Sequence, residues 1–219
     1  MRPDVTEEAL RYMGGADAPE PLRRQTAAEL EALRSRLRPR YTCRVWDLDF
    51  QPGGIRLAGT NLTLRGETAA RMLESCGQAA LLACTLGTRF DQLLSAAQAR
   101  DMAGAVILDA CGSALVEQGC DEAEEELSAR LPGRYLTDRF SPGYGDLPLD
   151  LQRGICAALD APRRLGIQVT DSLLLNPAKS VTAVIGLSDR PQPARVRGCG
   201  HCALAGSCQY RKEGTTCGA

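Results

Sequence analysis

The stretch Ala79-Ala80-Leu81-Leu82-Ala83-Cys84-Thr85-Leu86-Gly87 is apolar almost without interruption and has the length of a strand. A strand with one wet face alternates apolar and polar residues, so an unbroken run marks a strand in the middle of a sheet. Whatever this chain folds into has to bury that run. Thr85 and Gly87 close it, and they read either as a tight turn or as backbone brought near a ligand. Neither this run nor any other approaches the roughly 20 apolar residues that cross a bilayer.

Other segments supply the rest of a sheet and its cover. Residues 41–50 read as a strand in which Tyr41, Cys43 and Val45 hold one parity and Trp46, Leu48 and Phe50 the other. That change implies a bulge or a strand buried on both faces. Further strands are expected at 55–57, 62–64, 134–138, 166–170, 172–175 and 180–187, with Asn176-Pro177 turning between the last two. Helices are expected at 5–13, 21–37, 67–76 and 89–99, and again after Pro148. The longest, 101–131, is crowded in its first half with Ala103, Gly104, Ala105, Ala110, Cys111, Gly112, Ser113 and Ala114. Such small residues let a helix lie close to a neighbour or leave space for a ligand. Its acidic run, Asp121, Glu122, Glu124, Glu125 and Glu126, reads as a solvated face, and Glu117 stands between that run and the small-residue half. The expected fold class is α+β: a twisted antiparallel sheet flanked by helices, with a small Cys-rich tail.

The tail begins where Asp189-Arg190-Pro191-Gln192-Pro193 breaks the pattern, dividing the chain into 1–188 and 189–219. Of ten cysteines, Cys43, Cys76, Cys84, Cys111, Cys120 and Cys156 lie scattered in apolar or helical segments and read as small buried hydrophobes. Cys199, Cys202, Cys208 and Cys217 instead follow the spacing C-x2-C-x5-C-x8-C in a segment too short for its own core. Thiolates in such a cluster bind zinc or an iron–sulfur cluster. Zinc would be structural, whereas a cluster would carry electrons; the spacing leaves both open. His201 is read as a neighbour of that site, with Arg195, Arg197, Arg211 and Lys212 flanking it. The N-terminus lacks the apolar core of a signal peptide, so the chain is expected in the cytoplasm. A net charge of -1 and 4% aromatic residues give no basis for a nucleic-acid or anionic-membrane partner.

Between the long helix and the late strands comes Asp138-Arg139-Phe140-Ser141-Pro142-Gly143-Tyr144-Gly145-Asp146. On composition it is a surface turn, or a turn that aims backbone groups at a small ligand with Arg139 and Tyr144 as clamps. The segment Arg139 to Gly145 resembles the R-x-x-P-G-Y segment of the activation domain of cobalamin-dependent methionine synthase. Downstream, Asp171-Ser172 to Pro177 and Lys179-Ser180-Val181-Thr182 are similar to that domain's T-E-S … P … S-V-S segment at matching distance. Residues 5–187 resemble the free-standing version of the domain, including Ala9-Leu10-Arg11-Tyr12-Met13-Gly14 near its start. Gly145 stands where the family places Pro, and Pro191 with the cysteine tail replaces the family's C-terminal hairpin.

The resemblance implies a C-shaped α+β domain that binds S-adenosylmethionine. It further implies support of the reductive methylation of cob(II)alamin on a partner synthase in trans, with an electron donor such as flavodoxin or ferredoxin. Cobalamin would be met only through that partner, and the chain would be an accessory component. Carried onto this sequence, Arg139 would pair with the ligand carboxylate, Ser141 and Gly143 would offer backbone groups, and Tyr144 would contact the ligand. Glu117 would meet a cationic group, and Asp47 or Asp49 is the candidate for the family's N-terminal acidic contact. Two other functions are carried beside this one: an iron–sulfur electron-transfer protein serving a corrinoid methyltransferase, and a non-enzymatic zinc-tail binding module.

Overall fold

The computed structural model describes residues 4–14 and 17–192; the four tail cysteines lie outside them. In chain order the elements are α1 (Val5–Tyr12), α2 (Glu20–Arg36), β1 (Arg40–Gln51), β2 (Gly54–Leu57), β3 (Thr63–Leu64), α3 (Glu67–Leu73) and β4 (Gln78–Thr85). They continue as α4 (Thr88–Gln98), α5 (Met102–Arg130), β5 (Tyr135–Leu136), α6 (Leu151–Ala158), α7 (Ala161–Leu165), β6 (Gln168–Val169), β7 (Leu175–Asn176) and β8 (Ser180–Ser188). A six-stranded sheet runs β3-β2-β1-β4-β8-β5, and β6 and β7 form a separate ribbon. All strand pairs are antiparallel.

The apolar run is β4, central as its composition requires, with β1 on one side and β8 on the other. Its Ala80, Leu82 and Cys84 enter the core covered by α1, α2, α4 and α5. Ala79, Leu81 and Ala83 enter the core covered by α3, α6 and α7. The run ends in the tight turn: Thr85 Oγ1 lies 2.8 Å from Ser180 Oγ and accepts from the Gly87 N–H at 2.9 Å. Gly87, at φ 77°, then starts α4.

The parity change in β1 is a change of partner. Arg40 to Asp47 pair with β4, and Leu48 to Gln51 pair with β2. The small residues of α5 serve close approach. A Cβ on Gly112 would stand 2.2 Å from Phe90 Cζ, and one on Gly119 would stand 2.3 Å from Pro39 Cβ and 2.9 Å from Cys84 Sγ. Among the scattered cysteines Cys76, Cys84, Cys111, Cys120 and Cys156 are buried, and Cys43 is half-buried.

Two expectations are corrected. Residues 172–174 are not a strand: they form the turn of the β6–β7 hairpin. The Thr170 N–H donates to the Leu174 carbonyl at 2.8 Å, the Leu174 N–H donates to Thr170 Oγ1 at 3.0 Å, and Leu173 has φ 64°. Hydroxyl side chains that capture nearby backbone groups outcompete strand pairing there. The acidic run of α5 is not simply solvated either. Asp121 and Glu124 bind Arg139, Glu122 accepts from Gln118, and Glu126 accepts from the Tyr41 hydroxyl. Among the described residues, no helix is long and apolar enough to cross a membrane.

Candidate functional site

After β5 the chain runs along the outer edge of β8. The Thr137 N–H donates to the Gly186 carbonyl at 2.9 Å, and Phe140 exchanges both backbone hydrogen bonds with Val184, at 3.0 and 2.8 Å. Neighbouring side chains in such an extended segment point to opposite faces. Phe140 accordingly fills the core under α3 and α6, while Arg139 turns to α5. Edge pairing stops where Pro142 has no N–H to offer.

Two tight turns follow, both dictated locally. Ser141-Pro142-Gly143-Tyr144 closes with the Tyr144 N–H donating to the Ser141 carbonyl at 3.0 Å. Pro in the second position and Gly143 at φ 88° in the third are what a type II turn demands. Tyr144-Gly145-Asp146-Leu147 closes the second at 3.0 Å, with Gly145 at φ 58°. The Gly143 N–H reaches across to the Leu147 carbonyl at 2.8 Å, so the two turns brace each other. Tyr144 stands at their junction, 41% exposed, and Leu149 is exposed close by. Beside the turn, Leu62 and Arg65 face Pro148 and Leu151 across a shallow groove of about 210 Å³.

Asp146 fixes the far end of the turn. Helix α3 begins at Gly66, which has no side chain to cap it. Asp146 takes over, accepting from the Glu67 N–H at 2.6 Å and the Thr68 N–H at 2.8 Å. The Thr68 hydroxyl, with these two N–H groups, holds the Asp146 carboxyl down at about 2. Because the folded value lies below the ordinary 3.8, this stabilisation is complete above that pH and fades as pH falls through about 2. Asp146→Asn is therefore expected to melt earlier than wild type at neutral pH. The gap in melting temperature should close on acidification through that window, and a pH-independent gap would contradict the assignment.

The near end is fixed by Arg139, whose side chain is only 9% exposed. Its guanidinium meets Glu117 and Asp121, each at 2.5 Å, and Glu124. These carboxylates sit at i, i+4 and i+7 of α5, one face of the helix. Burial works against the charge on Arg139, but Glu124 and Glu117 outweigh it and hold the group protonated beyond its ordinary range. The phenol of Tyr12 on α1 is pushed up to about 12 by burial and then by Glu117 and Glu8, which places its exposed ring beside the same acidic field.

The structure thus brings Arg139 and Glu117 together and sets Ser141, Gly143 and Tyr144 in the adjoining turn. It does not bring in Asp47 or Asp49. Asp49 is engaged by Arg56 at 2.7 Å and Gln51, and Asp47 accepts from Gln78. Asp121, Glu124 and Asp146 were missed as site residues. For the first two the helical spacing from Glu117 was an available clue; the cap made by Asp146 crosses 78 residues and leaves no local trace. Among the described residues no group of three or more His, Cys, Asp and Glu side chains is arranged to hold a metal ion.

No family model and no curated protein sequence matches the chain. Its fold is similar to the crystal structure of the MetH reactivation domain bound to AdoHcy, with a TM-score of 0.64 at 14% identity, over 90% of this chain and 73% of that one. At that identity the likeness is one of fold.

Proposed function

We infer that this chain binds S-adenosylmethionine at the Arg139–Tyr144 turn and supports the reductive methylation of a partner's cob(II)alamin, acting in trans. The observation that carries the reading is the meeting of Arg139 with Glu117 across 22 residues. The two were singled out for opposite ends of one zwitterionic ligand, and they share one rim of the turn. A ligand carrying an ammonium, a sulfonium and a carboxylate fits a donor set of one guanidinium and several carboxylates. The exposed ring of Tyr144 offers a flat apolar face for the nucleoside.

S-adenosylmethionine supplies an already activated methyl group, so no residue need act as acid, base or nucleophile. The chain's contribution is positioning. Arg139 and Glu117 orient the amino-acid end, and the braced turns hold Ser141 and Gly143 at fixed places beneath it. The fold supports this reading because the MetH reactivation domain was solved with AdoHcy. Cys199, Cys202, Cys208 and Cys217 remain proposed ligands for zinc or an iron–sulfur cluster on donor chemistry alone.

The test has two arms. Calorimetric titration of the purified chain with S-adenosylmethionine should show one site, abolished or weakened at least tenfold in Tyr144→Ala. Mixed with an inactive cob(II)alamin synthase that lacks its own activation domain, a reductant and S-adenosylmethionine, the chain should restore methylcobalamin absorbance. Binding without restoration would leave a ligand-binding protein with another partner, and absence of both would end the proposal.

A further inference from the structure

Arg139 has more counter-charge than it needs. Glu117, Asp121 and Glu124 all reach it, three carboxylates against one guanidinium, so the cluster carries two negative charges in excess. A single ion pair would already neutralise the buried arginine. Like charges on adjacent turns of one helix repel, and these remain 20–32% exposed, within reach of a solvent-borne cation. The ring of Tyr12, 45% exposed, already lies under the Arg11 guanidinium at 5.0 Å, an aromatic face of the kind that attracts cations.

We propose that Asp121 and Glu124 set the charge selectivity of this site, so that it takes its ligand through a cationic centre and discriminates a sulfonium from the corresponding neutral thioether. The inference rests on the binding reading above and adds two residues that reading does not use. A ligand carboxylate gains little at a guanidinium that three carboxylates already occupy. A positive centre placed near the same cluster gains from the surplus. Once the sulfonium has given up its alkyl group the ligand has lost that positive charge, and its hold on the site weakens. The site therefore favours the loaded donor and lets go of the spent one, with no conformational change required.

The experiment compares S-adenosylmethionine with S-adenosylhomocysteine, the neutral thioether, by calorimetry at low salt. The proteins are wild type, the double variant Asp121→Asn/Glu124→Gln, and Glu125→Gln as a carboxylate loss from the same helix outside the cluster. Asn and Gln still accept hydrogen bonds from Arg139, so the latch keeps its shape while the surplus charge goes. Wild type should prefer the sulfonium by about tenfold, as expected for one charge near partly exposed carboxylates. The preference should fall to about twofold or less in the double variant and stay intact in Glu125→Gln. If the double variant does not fold, Asp121→Asn and Glu124→Gln taken singly should each remove part of the preference. A wild-type preference for the thioether, or a preference the substitutions leave unchanged, overturns the inference while the binding reading stands. Failure of wild type to bind either ligand overturns both.

Discussion

Arg139→Ala is expected to lower folding stability by about 2–3 kcal/mol and to remove ligand binding at the same time. Removing one partner of a buried ion pair leaves uncompensated charge, which typically costs 3–5 kcal/mol; the partial exposure of the three carboxylates argues for the lower end. For a domain of this size that is a fall in melting temperature of roughly 5–10 °C. The loss carries its own signature. Glu117, Asp121 and Glu124 would then repel one another unrelieved, their affinity for protons would rise, and the deficit relative to wild type should shrink on acidification. Arg139→Lys restores the charge without the planar fork that serves several carboxylates, so it should recover part of the stability and little of the binding. Thermal melts across pH decide the matter. A variant as stable as wild type would mean that the latch to α5 contributes nothing to the fold.

Gly119→Ala is expected to be about as damaging, although alanine is the better helix former by roughly 1 kcal/mol. The added methyl would lie 2.3 Å from Pro39 and 2.9 Å from Cys84 Sγ. Neither the proline ring nor the central strand can swing aside, so α5 has to lift off the sheet. Overpacking of this kind costs about 1–3 kcal/mol, and the length of the helix spreads the displacement along one whole core. Gly112→Ala, against the fully buried ring of Phe90, should behave in the same way. Gly154→Ala is the contrast. Its nearest neighbour is the tip of the Leu62 side chain, which can rotate away, so denaturant melts should show a much smaller change. Equal effects at all three positions would mean that helix-to-sheet spacing does not set the cost.

What could be read from the chain was whatever a local pattern enforces. The unbroken run at 79–87 had to be central because both of its faces are apolar, and the long helix declared itself by length. The parity change in β1 showed that something happens near Trp46, although which strand took over at Leu48 depended on partners far away. Residues 172–174 misled because three leucines follow Ser172, while two hydroxyls outweighed them. Helix α7 went unread because Asp160, in a left-handed conformation, and Pro162 interrupt the α6 pattern. In the site, Arg139, Ser141, Gly143 and Tyr144 sit in one contiguous motif and Glu117 precedes it at helical distance. Asp121 and Glu124 were hidden among equally charged neighbours, because a charge run shows its sign but not its partner.

The place of β4 has a consequence for the order in which this molecule can be made. Its first neighbour, β1, precedes it, but its second, β8, is synthesised almost a hundred residues later. Until Ser180 to Ser188 have left the ribosome, the most apolar strand in the chain has one open edge, and the site segment lacks the Val184 backbone it hydrogen-bonds. Pairings so distant in sequence form slowly, and an unpaired apolar edge invites association in the meantime. The nascent chain is thus aggregation-prone for most of its synthesis, and the strand that ends the hazard also completes the edge on which the Arg139 turn is built.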